Sequence, residues 1–376
     1  MEQELKEARD KGLLMMSAYE NIEIWLGSNF LPRWAVESIN ELIEKKAWSE
    51  LNDRFFRNLH FGTGGMRSRT LGKIITAAEQ GDSEKAEYAH AAVGTNMLND
   101  FNIIRSTIGL FRYCSKNLEK NEIPRIVIAH DVRYFSRHFC LLTASTWKRL
   151  GGETYIFDGP RSTPQLSFSV RYLKATAGVV ITASHNPPFD NGYKVYYKDG
   201  GQIVSPHAEG IIKAVDTVNF GEIDEHLTIE EKGIDVLGNS ADEAYISVVL
   251  NTILDAEVIK RQRPKIVYTP LHGTGQVIAI PAMKRSGVDL IVVSEQMSMD
   301  PAFPTVESPN PENGEALLMA IHKANEVGAD AVLATDPDGD RMGAAVRGRD
   351  GDMVLLNGNI IGPLLAEYRI TKIKEM

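Results

Sequence analysis

The chain has 376 residues, a formal net charge of −9 at pH 7, 43% hydrophobic residues and 24% charged residues. That length carries two or three domains with a large core, and the composition is that of a globular chain rather than a disordered or fibrous one. The acidic balance offers no basic surface to a nucleic-acid backbone, and no apolar run reaches the ~20 residues of a membrane helix.

The opening "MEQELKEARDKGLLMM" carries acids too early for a signal peptide, so a cytoplasmic protein is expected. Next comes "FGTGGMRSRT" at 61–70. Its glycines leave backbone N–H groups free to face an anion, and Arg67 adds a planar fork for phosphate. A flexible turn with a solvated arginine is the plainer alternative. The two cysteines, Cys114 and Cys140, stand apart from other soft ligands, which excludes a thiolate zinc site and suits a reducing compartment.

Strand "RIVIAH", helix "SRHFCLLTASTWKRLG", strand "ETYIFDG", helix "TPQLSFSVRYLKA" and strand "AGVVITA" then follow one another. The β-α-β-α-β order predicts α/β domains with mixed, mostly parallel sheets covered by helices. "HAEGIIKAVDTV" closes the unit as a helix, and the polar stretch at 220–240 is read as a connection. The pattern restarts with helix "DEAYISVVLNTI" and strands "KIVYTP", "DLIVVSE" and "AVLAT", separated by helices. The predicted units are 1–240, 241–357 and the beginning of a third at 358–376.

In "GVVITASHNPPFDNGYKVYYKDGGQIVSP" (178–206), a chargeless apolar strand runs into Ser184, His185 and Asn186, then Pro187 and Pro188. A residue before proline is pushed out of the helical region, so the chain leaves the sheet in a stiff loop. A nucleophile elbow would need glycines where Thr182 and Asn186 stand, with a helix directly after, so an acyl-transfer serine is disfavoured. In "ATDPDGDRMG" (334–343), Asp336, Asp338 and Asp340 alternate at the end of an apolar strand. Three carboxylates so close repel one another, and a hard divalent cation such as Mg²⁺ relieves the conflict. A calcium EF-hand fails, because Arg341 and Arg347 hold its glycine and glutamate positions. "IVYTPLHGTGQVIAI" imitates a dinucleotide fingerprint with Glu295 downstream, but Ile278 fills the third glycine position. A tight turn with His272 at its mouth is the better reading. A serine, an acidic metal loop and an arginine-bearing anion loop together suit phosphoryl transfer. Ser184 would carry the phosphoryl group, and Lys194 or His185 would handle the sugar hydroxyl's proton; a surface cation is the plain alternative for each.

The set "TASHNPPFDNGYKVY", "DPDGDR" and "FGTGG" with Arg67 resembles the α-D-phosphohexomutase family of phosphoglucomutases and phosphomannomutases. "YKVYYKDGGQIVSPH" and "IVYTPLHGTG" are similar to its phosphoglucomutase-2 and phosphopentomutase branch. The resemblance runs from about residue 50 to the end. It implies that Ser184 is the phosphorylated serine, and that Ser184, Asp336, Asp338 and Asp340 bind Mg²⁺. It also implies that Arg67 and Arg341 assist the transferring group, and that Lys194 is the general acid/base. Such a mutase moves phosphate between C1 and C6 (or C5) hydroxyls of hexose or pentose phosphates, with glucose 1,6-bisphosphate as activator; phosphoglucomutase is the first expectation. The rivals are a Mg²⁺-dependent sugar phosphatase and a non-catalytic sugar-phosphate-binding paralogue. Two departures stand out. The run after Arg67 is longer and more polar than the family's, so Arg69 is a further candidate for added charge. The chain stops at "GPLLAEYRITKIKEM", in what the resemblance makes the first helix of a third domain, so a fragment inactive by itself is expected.

Overall fold

A computed structural model describes residues 1–82 and 88–375; the polar run after Arg67 therefore has residues 83–87 outside the described part. Two sheets organise the chain. In the first, β1 (Gly65–Arg69), β2 (Arg125–His130), β3 (Glu153–Phe157), β4 (Ala177–Ile181), β5 (Asp190–Tyr197) and β6 (Asp235–Leu237) lie in the order β1-β5-β4-β2-β3-β6. β2, β3, β4 and β6 run parallel, while β5 is antiparallel to both β4 and β1. The alternation of side chains decides the faces. Ile126 and Ile128 join one core cluster with the helices Asp100–Lys116, Ser136–Arg149 and His207–Asp216. Val127 and Ala129 join another with Leu166 and Val170 of the helix Thr163–Tyr172. That helix sits so close that a Cβ on Gly178 would lie 2.5 Å from Val170 Cγ2.

The second sheet contains β7 (Lys265–Thr269), β8 (Asp289–Val292), β9 (Ala331–Thr335), β10 (Met342–Arg347) and β11 (Met353–Leu356), in the order β11-β10-β9-β7-β8. Its parallel strands β8, β7 and β9 are again continued on one side by antiparallel pairing, β9 with β10 and β10 with β11. The stretch at 220–240 is more than a connection: it holds two short 3₁₀ turns and β6, which extends the first sheet beside β3. Three residues, Asp235 to Leu237, are too few for a periodic signal. The next helix, Asn239–Leu250, packs Ile246 against Ile278 and Ala282 of the helix Gly275–Ser286. The helix Gly358–Glu375 buries no side chain among its described residues. No helix of the described residues is long and apolar enough to cross a membrane.

Four helices, Glu2–Asp10, Met16–Leu26, Arg33–Glu44 and Trp48–Phe55, share the first core. Trp25 meets Phe30, Phe55 and Phe101 edge to face. A buried ionic cluster ties this layer to the segment beyond β1. Arg54, fully buried, donates to Glu50 Oε1 (2.8 Å), to Glu79 Oε1 (2.5 Å) and to the Ile74 carbonyl (2.6 Å). Glu79 also accepts from Ser38 Oγ and from Val93 N–H. Removing one member of such a cluster strands the others without water or partner. Arg54→Ala should therefore cost about 3–5 kcal/mol in equilibrium denaturation; a loss within experimental error would show that the two glutamates find other donors.

Candidate active site

The two sheets present their loops to each other at the ends of β4 and β9. Ser184, two residues beyond Thr182, has a positive φ of 56° and is fully buried. Its Oγ donates to Asp336 Oδ2 at 2.5 Å, and its N–H donates to Thr182 Oγ1 at 2.8 Å. Thr182 Oγ1 in turn donates to Asp131 Oδ2 at 2.6 Å. A serine in the left-handed region is held there only by its surroundings.

Asp336 and Asp338 are fully buried, and Asp340 is partly exposed. Their loop is fixed from several directions. Asp336 Oδ1 accepts from Arg341 N–H, and Asp336 O from Gly339 N–H. Thr163, at the start of its helix, donates N–H to Asp338 O and Oγ1–H to Asp338 Oδ2, both at 2.8 Å. Thr274 donates N–H and Oγ1–H to Pro337 O. The "LHGTG" turn is thus a buttress for the aspartate loop: a Cβ on Gly273 would lie 2.3 Å from Pro337 Cα. His272 is a buried strut bonded to Ser298 O and Thr305 Oγ1. Glu295 bonds to its neighbour Ser294.

Lys194 comes from β5 and donates to Asp338 Oδ2 (2.7 Å) and Asp340 Oδ2 (3.1 Å). The acids are therefore not unpaired, as their spacing alone suggested. Burial would lower the Lys194 pKa, but the charges of Asp338 and Asp340 outweigh it and hold the ammonium above its ordinary value. This is opposite to the depressed lysine that base chemistry would want. Burial and the charges of Asp338 and Asp340 push Asp336 up. Burial also acts to raise Asp338, yet Lys194 prevails and keeps it below the usual range.

Ligand oxygens of Asp336, Asp338 and Asp340 all lie within 4.8 Å of one another. Asp338 Oδ1 is buried without a hydrogen-bond partner. A hard divalent cation fits that donor set, since it would satisfy an oxygen that no protein group reaches.

Arg67 is exposed on β1, opposite Gly192 of β5, and its Nη1 donates to Asn186 Oδ1 at 3.1 Å. This register brings Gly65 opposite Lys194, where a Cβ would lie 1.9 Å from Tyr193 O. Arg341 stands half exposed, with Nε 3.8 Å from Asp340 Oδ1. His185 Nδ1 is 3.5 Å from Ser184 Oγ, and burial followed by the charges of Arg341 and Arg67 lowers its pKa. Contacts thus gather Ser184, Lys194, His185, Arg67, Arg341 and the three aspartates into one neighbourhood. Arg69 does not join them. It pairs with Asp53 through Nη1 and donates to Leu71 O from Nε and Nη2.

Two supports escaped the sequence. Arg133 and Asp131 lie just beyond β2, in "HDVR", and hold the serine loop from beneath. Thr163 holds Asp338 from the opposite unit. An arginine or threonine after an apolar strand is too common to signal such a role.

Family models described as Phosphoglucomutase/phosphomannomutase, alpha/beta/alpha domain I and domain II, match residues 87–222 and 243–350. A phosphoribomutase of Saccharomyces cerevisiae is 32% identical over 374 residues, covering 94% of this chain and 56% of its own. A phosphopentomutase of Homo sapiens is 33% identical over 354 residues, covering 90% and 54%. A phosphoglucomutase of Staphylococcus haemolyticus is 35% identical over 308 residues, covering 79% and 55%. The chain spans about half the length of the curated relatives it matches. Among solved structures, a Thermus thermophilus chain provisionally named a phosphomannomutase superposes with a TM-score of 0.66 at 24% identity, over 84% of this chain and 62% of that one.

The competition between Lys194 and a cation for the same oxygens can be measured. Calorimetric titration with Mg²⁺ should find affinity weakened at least about 10-fold in Asp338→Ala. Lys194→Met should bind the ion more tightly than the parent, because a competing ammonium is gone. Equal affinity in all three proteins would place the ion elsewhere.

Proposed function

The chain belongs to the phosphoglucomutase/phosphomannomutase family, and on that premise we propose that it carries the phosphoserine centre of a phosphosugar mutase. The observation that carries this reading is the 2.5 Å contact of Ser184 Oγ with Asp336 Oδ2, which joins a hydroxyl on one sheet to a carboxylate on the other. In this reading residues 1–240 and 241–357 act as the family's first two domains, and 358–376 open a third. The work belongs to the cytoplasm.

Ser184 Oγ is the phosphoryl acceptor and carrier. In the step that loads it, the Oγ–P bond forms while the P–O bond to a sugar bisphosphate breaks. The hydroxyl proton leaves along the hydrogen bond to Asp336, and the departing sugar oxygen takes a proton from Lys194 Nζ. The ion pairs that hold Lys194 charged suit this acid role, and the reverse step returns the proton. Arg67 and Arg341 supply charge for the phosphoryl oxygens. Mg²⁺ on Asp336, Asp338, Asp340 and the serine oxygen would supply neutralising charge at the same oxygens when bound. The substrates are hexose or pentose phosphates, with phosphate moved between C1 and the terminal hydroxyl through a bisphosphate such as glucose 1,6-bisphosphate.

Incubation with glucose 1,6-bisphosphate or ribose 1,5-bisphosphate, followed by peptide mapping, should find phosphate on Ser184 and none in Ser184→Ala. Phosphate on a different serine, with Ser184 bare, would overturn the reading; free phosphate released with no phosphoserine would favour a phosphatase. Lys194→Ala should slow loading of Ser184 by roughly 10²–10⁴-fold at unchanged donor affinity. A parent-like rate in that variant would move the proton role to His185.

A further inference from the structure

The loop that carries Ser184 has a deficit of donors. Pro187 and Pro188 contribute no N–H, yet the loop turns sharply and buries carbonyls. One side chain meets most of that need. Arg133 Nη2 donates to Ser184 O and Asn186 O, each at 2.6 Å. Its Nη1 donates to Pro187 O (2.7 Å) and Asp190 O (3.0 Å). The guanidinium is buried, with 3% of the residue exposed.

Three further contacts fix the arginine itself. Its backbone N–H donates to Asp131 Oδ1 at 3.0 Å. Its Nε lies 3.1 Å from Asp131 Oδ2, an ion pair without the alignment of a hydrogen bond. Phe303, from the unit that carries the aspartates, lies under the guanidinium at 5.1 Å. Asp131 also accepts from Thr182 Oγ1, the group that receives the Ser184 N–H. Carbonyl and amide of Ser184 are therefore both anchored to the same arginine–aspartate pair.

We propose that Arg133 is a positioning residue for the phosphoryl-carrying serine: its planar fork gathers the carbonyls of residues 184, 186, 187 and 190 and so holds Ser184 in the left-handed conformation that aims Oγ at Asp336. A lysine has three donors on one atom and cannot span four carbonyls spread along a loop. The guanidinium touches neither the Ser184 hydroxyl nor an aspartate of the metal loop through any hydrogen bond, so it acts through the backbone. The cation under the loop also leaves its carbonyls, rather than Ser184 Oγ, as the acceptors of its hydrogen bonds. Oγ keeps Asp336 Oδ2 as its own partner.

The inference rests on Ser184 being the carrier, and its test separates the two. Arg133→Ala and Arg133→Lys, in the full chain, are compared with the parent by thermal melting, by hydrogen exchange at residues 184–190, and by the rate at which glucose 1,6-bisphosphate loads Ser184. In Arg133→Ala the loop amides should lose protection while those of β2 and β4 keep it, and loading should fall on the order of 10²-fold. Millimolar methylguanidinium should restore part of that rate in Arg133→Ala and none in Arg133→Lys. Loading at the parent rate with the loop still protected overturns the proposal. So does a loss shared by all of the first sheet and unmoved by methylguanidinium, which marks a plain stability defect. If Arg133→Ala does not fold, a folded Arg133→Lys that loads at the parent rate overturns it equally. If the parent never takes phosphate on Ser184, the carrier reading falls, and loop protection alone decides the role of Arg133.

Discussion

A serine hydroxyl and a buried carboxylate from different sheets cannot meet at 2.5 Å unless both loops are held against their own preferences. Ser184 must stay left-handed, and three carboxylates must share one small volume. Each arrangement is unfavourable in isolation. The surrounding residues are intelligible as the means of holding it. Lys194 compensates two of the acids, Thr163 and Thr274 pin the aspartate loop by its carbonyls, and Asp131 with Arg133 pins the serine loop. Because Thr163 and Thr274 come from different units, and Phe303 crosses to Arg133, the same contacts also join the two sheets.

The charge balance follows from that geometry. Lys194 is held as an ammonium by the same oxygens that a cation would take, so proton and metal states of the cleft are linked. The lysine enters as the counter-charge of the aspartate loop. Burial, then the charges of Arg341 and Arg67, make the His185 imidazolium less favourable than in water.

Much of this was legible in the sequence. "RIVIAH", "AGVVITA" and "AVLAT" declare central strands by their runs of apolar, largely β-branched or small residues. "SHNPP" and "DPDGDR" declare loops that bear chemistry at strand ends. What stayed hidden depends on three-dimensional approach. β6 is three residues long, and its pairing with β3 is decided by tertiary contact rather than by pattern. Arg67 and Arg69 look alike as letters on one strand. Their positions give one a cleft and the other Asp53 and a carbonyl. Lys194 in "GYKVYY" stands out as a candidate for proton transfer, but its pairing with Asp338 and Asp340 depends on where β5 lies. Arg133 gave no signal at all, because its partners are carbonyls, which every sequence contains.

The central claim is that phosphate on Ser184 and a divalent cation on the three aspartates occupy one site. Its most direct test is the ³¹P resonance of the Ser184-phosphorylated chain during titration with Mn²⁺, whose unpaired electrons broaden nuclei within a few ångströms. The signal should be lost near one equivalent of Mn²⁺ in the parent protein and should survive the same addition when Asp338 is alanine. A phosphoserine resonance that stays sharp in the parent at saturating Mn²⁺ would contradict it.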